Sequence, residues 1–263
     1  MNFEKICRDI KTLKIQGAEN IAIAGLKAIS LKRDKKSVRK LLELRETEPL
    51  LRNSVRFVLK DYGRNYGIAM DHLENVRKRI AEVGYRKFKG KKVFTHCHSS
   101  TVVEILKKAK NVRVYNTETR PLYQGRKTAR ELSKVGIKVE HYIDSGAKVA
   151  LEKSDVILIG ADGICNNYIV NKIGSGMIVD IANKLKKKVY VCGDSWKFCE
   201  KVEIEERDKN EIWKNAPKNV EIRNIVFEKI DNKLVDEIIS ELGIYDPGNF
   251  IMKVRRAYPE IFS

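Results

Sequence analysis

Apolar residues recur at helical spacing through the first third of the chain. Ile6, Ile10, Leu13 and Ile15 form one amphipathic stretch, which Gln16-Gly17-Ala18-Glu19 interrupts. An Ala-rich run over 21–29 follows. Helical runs over 37–45 and 53–62 come next, with a break near Pro49 between them. Residues 71–88 carry Leu73, Val76, Ile80 and Val83 on one stripe, the signature of a long helix packed on one side. Lys87-Phe88-Lys89-Gly90-Lys91-Lys92 closes the segment with a helix-ending glycine and solvated charge. The pattern predicts a small all-α domain over 1–88.

From about residue 89 the pattern changes to short apolar runs alternating with helical stretches. Candidate strands are 92–95, 112–116, 138–143, 156–160, 188–192 and 220–227. Candidate helices are 101–109, 126–135, 147–152, 177–185 and 233–242. Strand and helix alternating at this length predict an α/β domain over 89–263, with a parallel sheet covered on both faces.

Composition narrows the function classes. The chain has 263 residues, 43% of them hydrophobic, enough for one large or two modest cores. Five cysteines (Cys7, Cys97, Cys165, Cys192 and Cys199) make an odd number without a C-x-x-C pair. That argues against a disulfide framework and a structural zinc site, and the expectation is reduced thiols in the cytoplasm. No apolar run approaches the roughly 20 residues that span a bilayer, and the first residues lack a signal-peptide core. The net charge of +18 suits either an anionic partner or a Lys/Glu-rich surface. The basic residues are spread along the whole chain, and no base-stacking aromatic motif accompanies them, so nucleic acid is not the expected partner.

Each predicted strand ends in a polar cluster. These are Thr95-His96-Cys97-His98-Ser99-Ser100, Thr117-Glu118-Thr119-Arg120-Pro121, Asp144-Ser145-Gly146, Gly160-Ala161-Asp162-Gly163 and Gly193-Asp194-Ser195-Trp196-Lys197. In open α/β sheets ligands bind outside the carboxyl ends of the strands, so one rim would collect a thiol, carboxylates, hydroxyls and cations. No glycine lies between Thr95 and Ala109, which removes the dinucleotide fingerprint, and no P-loop is present. In an extended segment His96 and His98 would share one face and Cys97 the other, a poor arrangement for metal. Cys97 sits just ahead of a helix N-terminus, whose dipole favours a thiolate. With strand order 3-2-1-4-5-6, Cys97 and Asp162 would face each other across the crevice. Asn171-Lys172 ahead of Ile173-Gly174-Ser175-Gly176, at a helix start, suits a phosphate.

T-H-C-H-S at 95–99, T-E-T-R-P with Gln124-Gly125, G-A-D at 160–162 and N-K-I-G at 171–174 together resemble one superfamily. It holds archaeal ribose-1,5-bisphosphate isomerase, methylthioribose-1-phosphate isomerase and the regulatory alpha, beta and delta subunits of eukaryotic initiation factor 2B. The resemblance implies a Rossmann-like domain behind a small helical domain, and a homo-oligomer formed through the C-terminal domain. It also implies Cys97 and Asp162 as the acid/base pair. Gly17, Ala18, His98, Ser99, Ser100, Asn171, Lys172 and Lys197 would bind substrate, without metal or organic cofactor. Ser100 stands where the ribose-bisphosphate enzymes carry lysine. Gln16 and Glu48, the latter in Glu46-Thr47-Glu48-Pro49, stand where those enzymes carry phosphate-binding arginines. Gln and Glu cannot replace a bidentate guanidinium. The leading expectation is an aldose–ketose isomerase acting on a sugar 1-phosphate, with Lys172, Lys197, Arg120 and Arg52 as the cations available for phosphate. The alternative is an initiation-factor-like regulatory subunit that binds a phosphorylated metabolite or partner protein without catalysis.

Overall fold

The computed structural model describes residues 2–45, 47–204 and 206–262; Met1, Glu46, Glu205 and Ser263, which the ranges above include, lie outside them. The N-terminal helices are α1 (Phe3–Lys11), α2 (Ala18–Leu31), α3 (Lys35–Leu42), α4 (Pro49–Lys60) and α5 (Tyr62–Gly84). Their starts follow local chemistry. Asn2 and Asp34 accept the Lys5 and Ser37 amide N–H groups as side-chain caps, and Pro49 opens α4, where a missing N–H costs nothing.

The strands and remaining helices follow in this order: β1 (Lys92–Thr95), α6 (Ser100–Ala109), β2 (Arg113–Thr117), α7 (Gln124–Ser133), β3 (Lys138–Tyr142), α8 (Ala147–Lys153), β4 (Val156–Gly160), β5 (Gly163–Cys165), β6 (Tyr168–Lys172), α9 (Ser175–Lys184), β7 (Lys188–Cys192), β8 (Phe198–Cys199), β9 (Phe227–Asp231), β10 (Glu237–Ser240), β11 (Gly243–Tyr245), α10 (Pro247–Ala257) and α11 (Pro259–Phe262). The main sheet has the order β11-β10-β7-β4-β1-β2-β3. All its pairs are parallel except β10 with β11. Its parallel part is the 3-2-1-4-5-6 order, so the direction of winding reverses between β1 and β4, where Val93 lies beside Val156. A second sheet, β8-β5-β6-β9, stands at the carboxyl end of β4.

Two expectations fail and one sheet was not foreseen. Residues 220–226 are not a strand: Val220 and Ile225 are exposed, and the strand begins only at Phe227. The helix expected over 233–242 is a short turn followed by β10. Val235, Ile238 and Ile239 mimic a helical stripe. The Asp236 carboxylate, however, accepts the Val189 N–H at 2.8 Å and pairs with Lys188 at 2.5 Å, which docks the segment beside β7. The β5–β6 hairpin lay unread between two apolar runs, although Asn166-Asn167 is a two-residue turn signal.

The change of pattern near residue 89 marks where strands begin, but the cores interleave across it. Val76, Ile80 and Ala81, from the later turns of α5, pack with Phe88, Val93, Ile105, Val114 and Ile239 on one face of the sheet. In return, Trp196 and Ile261 are buried among the N-terminal helices, with Phe57, Val58, Ala69 and Leu73. Trp196 stacks on His72 with centroids 4.1 Å apart and is met edge-on by Tyr258. Asn53 Nδ2 donates to the carbonyls of Trp196 (2.6 Å) and Phe198 (2.8 Å).

Candidate active site

Cys97 lies just beyond β1 and bends the chain with φ +66°. A residue with a β-carbon held left-handed costs about 1–2 kcal/mol. Two threonines hold it there. The Cys97 N–H donates to Thr119 Oγ1 at 3.0 Å, and Thr128 Oγ1 donates to the Cys97 carbonyl at 2.9 Å. Thr119 is fixed in turn by Asp144 at the end of β3, which accepts the N–H groups of Thr119 (2.8 Å) and Arg120 (2.7 Å). The segment is therefore not extended, and His96 and His98 do not share a face. Buried His96 donates from Nε2 to the Ile173 carbonyl at 2.9 Å and accepts from Thr117 Oγ1 at Nδ1, 2.6 Å away. Burial holds it neutral, below the usual imidazole range. His98 Nδ1 donates to Thr128 Oγ1 at 3.1 Å, since that hydroxyl's proton is already given to Cys97. Burial pushes His98 down to about 4, with Lys127 adding to the effect.

The Cys97 thiol is not lowered, as its place before a helix predicted, but raised to about 11. Burial is the main cause, Asp162 and Asp144 add to it, and Lys172 opposes. The helix dipole does not prevail because α6 begins only at Ser100, and Ser99 already caps it, its hydroxyl accepting the Val102 N–H at 3.3 Å. Asp162 follows β4 on the adjacent strand end, with its N–H donated to the Val170 carbonyl at 2.8 Å. Its carboxyl is raised by burial, while Lys197, Lys172 and Arg45 favour the carboxylate. Cys97 and Asp162 thus follow neighbouring strand ends, Asp162 bears electrostatically on Cys97, and Lys172 bears on both.

Two glycines permit this closeness. A β-carbon on Gly160 would sit 2.7 Å from Ser99 Cβ, so the end of β4 could not lie against the Cys97 loop. Gly174 combines φ +95° with a position 3.1 Å from His96 Nε2 for any added β-carbon. Gly174→Ala should cost about 1–3 kcal/mol of stability, measured by urea unfolding; an unchanged midpoint would mean that the loop relaxes freely.

Lys172 is buried against the Phe227 ring at 5.3 Å, and Lys197 Nζ donates to the Ala161 carbonyl at 2.6 Å. Both therefore stand beside Asp162. Asn171 turns away, donating to Ser175 Oγ at 2.9 Å, where it secures the start of α9. Gly17 and Ala18 form the start of α2, next to Glu19. Arg77 of α5 pairs with Glu19 at 3.0 Å and also bears on His98. Gln16 is folded back onto its own turn, Nε2 donating to the Leu13 carbonyl at 2.8 Å. Glu48 is buried and pairs with Arg45 at 3.4 Å, and Arg45 bears on Asp162. The Arg120 side chain meets Tyr123 at the surface, its guanidinium donating to the Tyr123 hydroxyl, and Arg52 lines a separate groove with Arg33, Lys35 and Arg39.

Arg45, Arg77 and Thr128 serve the site from elements with no motif of their own, whereas Thr119 belongs to the T-E-T-R-P segment. Sequence reasoning passed over the first three, and over a buried cluster beside Lys197. There His72 Nε2 meets Asp194 Oδ1 at 2.9 Å, while Glu241 Oε2 accepts the Ser195 N–H at 3.2 Å. Among the described residues, His72, Asp194 and Glu241 are the group whose spacing would suit a metal ion. The same contacts also serve to seat Trp196, since Asp194 Oδ1 accepts the Trp196 N–H at 2.9 Å. No helix among the described residues is long and apolar enough to cross a membrane.

Comparison with known proteins agrees with this fold. The family model of the initiation factor 2 subunit family matches residues 14–247. A ribose 1,5-bisphosphate isomerase of Thermococcus kodakarensis is 31% identical, the alignment covering 92% of this chain and 90% of that protein. A putative translation initiation factor eIF-2B subunit 2-like protein of Pyrococcus horikoshii is 30% identical over 92% of this chain and 96% of its own. The crystal structure of a Pyrococcus horikoshii translation initiation factor eIF-2B superposes with a TM-score of 0.84 at 27% identity, covering 94% of this chain and 98% of that one.

Proposed function

The chain belongs to the initiation factor 2 subunit family, and from that premise we propose that it is a sugar-phosphate isomerase, turning a cyclic pentose 1-phosphate into the open ketose. Ribose 1,5-bisphosphate is the nearest substrate, in keeping with the names of several relatives about 30% identical over nine-tenths of the chain. One observation carries the reading. A thiol and a carboxyl, both raised by burial, follow the ends of adjacent parallel strands, and lysines bear on both. In this reading the protein also assembles with copies of itself through the C-terminal region.

The reaction needs two proton transfers, and the pair can divide them. Asp162, as the carboxylic acid, gives its proton to the ring oxygen as the bond from the anomeric carbon to that oxygen breaks. Cys97, as thiolate, takes the proton from the neighbouring carbon, which leaves an enol that still carries the phosphate. The Cys97 thiol returns that proton to the former anomeric carbon. Meanwhile the Asp162 carboxylate takes the hydroxyl proton as the ketone forms. Net, one hydrogen moves from carbon to the adjacent carbon and one from oxygen to oxygen, and both groups end as they began. Lys172 and Lys197 balance phosphate charge, His98, Ser99, Ser100 and the Gly17-Ala18 turn complete the pocket, and Asn171 acts only by securing the start of α9.

The second reading, a regulatory subunit without turnover, is favoured by Gln16 folded away and by Glu48 buried against Arg45, where arginines would hold a bisphosphate. Two lysines remain beside Asp162 and keep the isomerase in front. The deciding measurement is incubation of the purified protein with ribose 1,5-bisphosphate, ribose 1-phosphate and methylthioribose 1-phosphate in deuterium oxide, followed by NMR. The isomerase reading expects ketose from at least one of them. No ketose from any of them at saturating concentration would give the regulatory reading the lead.

A further inference from the structure

The second sheet holds a thiol pair that the isomerase reading does not use. Strands β5 and β8 run parallel, with Cys165 directly opposite Cys199. Their Sγ atoms are 3.2 Å apart. Neighbouring strands are about 4.8 Å apart, inside the roughly 4.4–6.8 Å Cα spacing that a disulfide bridges. The two sulfurs therefore need only close on each other, without backbone movement. Both thiols are free in the structure, Cys165 buried and Cys199 half-exposed. The hydrogen bond from Cys199 lowers Cys165, with Lys229 adding to the effect, while that same bond and burial raise Cys199 against a small opposing pull from Arg52. Cys7 and Cys192 are buried in other hydrophobic clusters, and Cys97 lies beyond β1.

We propose that Cys165 and Cys199 are a redox modification site, closing to an intrachain disulfide by exchange with a low-molecular-weight disulfide. One cysteine of the pair, as thiolate, attacks one sulfur of the oxidant, forming a mixed disulfide and releasing one thiolate. The other, as thiolate, then attacks the protein sulfur of that mixed disulfide, the Cys165–Cys199 bond forms, and the second thiolate leaves. The two cysteines lose two electrons and their two protons, and the oxidant becomes two thiols. The bond closes a loop 34 positions long that carries Lys172 and Lys197, and it begins three residues after Asp162. It therefore staples the two segments flanking the crevice. This site does not depend on the isomerase reading.

The test is to incubate the full chain with oxidised glutathione, block remaining thiols with iodoacetamide, and map peptides by mass. The expected result is loss of one pair of hydrogens with a single Cys165–Cys199 linked peptide. It comes with a melting temperature raised by roughly 5–10 °C, which dithiothreitol reverses. Cys165→Ser and Cys199→Ser should each abolish the link. A persistent glutathione adduct on Cys199 in the parent protein, or a link through Cys97, Cys7 or Cys192, would overturn the proposal.

Discussion

Replacing Cys97 by Ser should lower kcat by about a thousandfold or more if the proposed isomerase mechanism holds, and Asp162→Asn should do the same, while substrate affinity should move by less than about threefold. General acid–base groups contribute about 10²–10⁴ each, and a group needed only as charge moves acts on kcat rather than on binding. A thousandfold is about 4 kcal/mol of transition-state stabilisation. The electrostatics add a signature in pH. The working form has Cys97 ionised and Asp162 protonated; burial raises the thiol to about 11 and raises the carboxyl as well, so it keeps the proton on Asp162 and opposes the Cys97 thiolate. The productive form is then one tautomer of the singly protonated pair, and its share stays constant between the two ionisations. Rate falls with slope one on the acid side as Asp162, and on the alkaline side as Cys97, leave that window. The limbs belong to the coupled pair rather than to either group. Near-normal turnover in either variant, or an alkaline limb near neutrality, would break the assignment.

Trp196→Ala is the largest expected loss of stability, about 3–5 kcal/mol. The indole is 1% exposed, stacks on His72 and packs against Phe57 and Tyr258. Its removal leaves a cavity lined by helices and strands that cannot close together, because Asn53 still holds the backbone carbonyls of Trp196 and Phe198. Lys197 is the next residue, so the variant should also raise KM for phosphorylated ligand even where it remains folded. Chemical unfolding and calorimetric titration read the two effects separately. A loss under 1 kcal/mol with unchanged affinity would mean that the Trp196 turn is not what seats Lys197.

Much of the parallel sheet was legible because its strands are continuous apolar runs flanked by polar ends. Three of the predicted strands, 92–95, 156–160 and 188–192, coincide with β1, β4 and β7. The second sheet was not legible, since strands such as Phe198–Cys199 and Gly163–Cys165 are too short to show a period. The 233–242 segment was misread because Val235, Ile238 and Ile239 fit either period until Asp236 is seen tied to β7. At the candidate site, Cys97 and Asp162 could be selected from strand ends alone. The direction of the thiol's ionisation could not, because it depends on how deeply the loop is packed and on Asp144 arriving from β3. Arg45 and Arg77 were invisible for a related reason: a cation on a helix declares its target only when the helix is docked.

The exchange of side chains between the two cores has a consequence for how the molecule is made. A ribosome releases α1 to α5 first, and domains generally fold as they emerge. Here the helices meet Trp196 only after the strands up to β7 have been made, and Ile261 later still. Until then Phe57, Leu73 and the face of His72 lack their cover, and Val76 and Ile80 await a sheet not yet translated. The early helices remain an unfinished, sticky intermediate throughout synthesis, and a nascent chain stalled before residue 196 should be a strong client for holding chaperones.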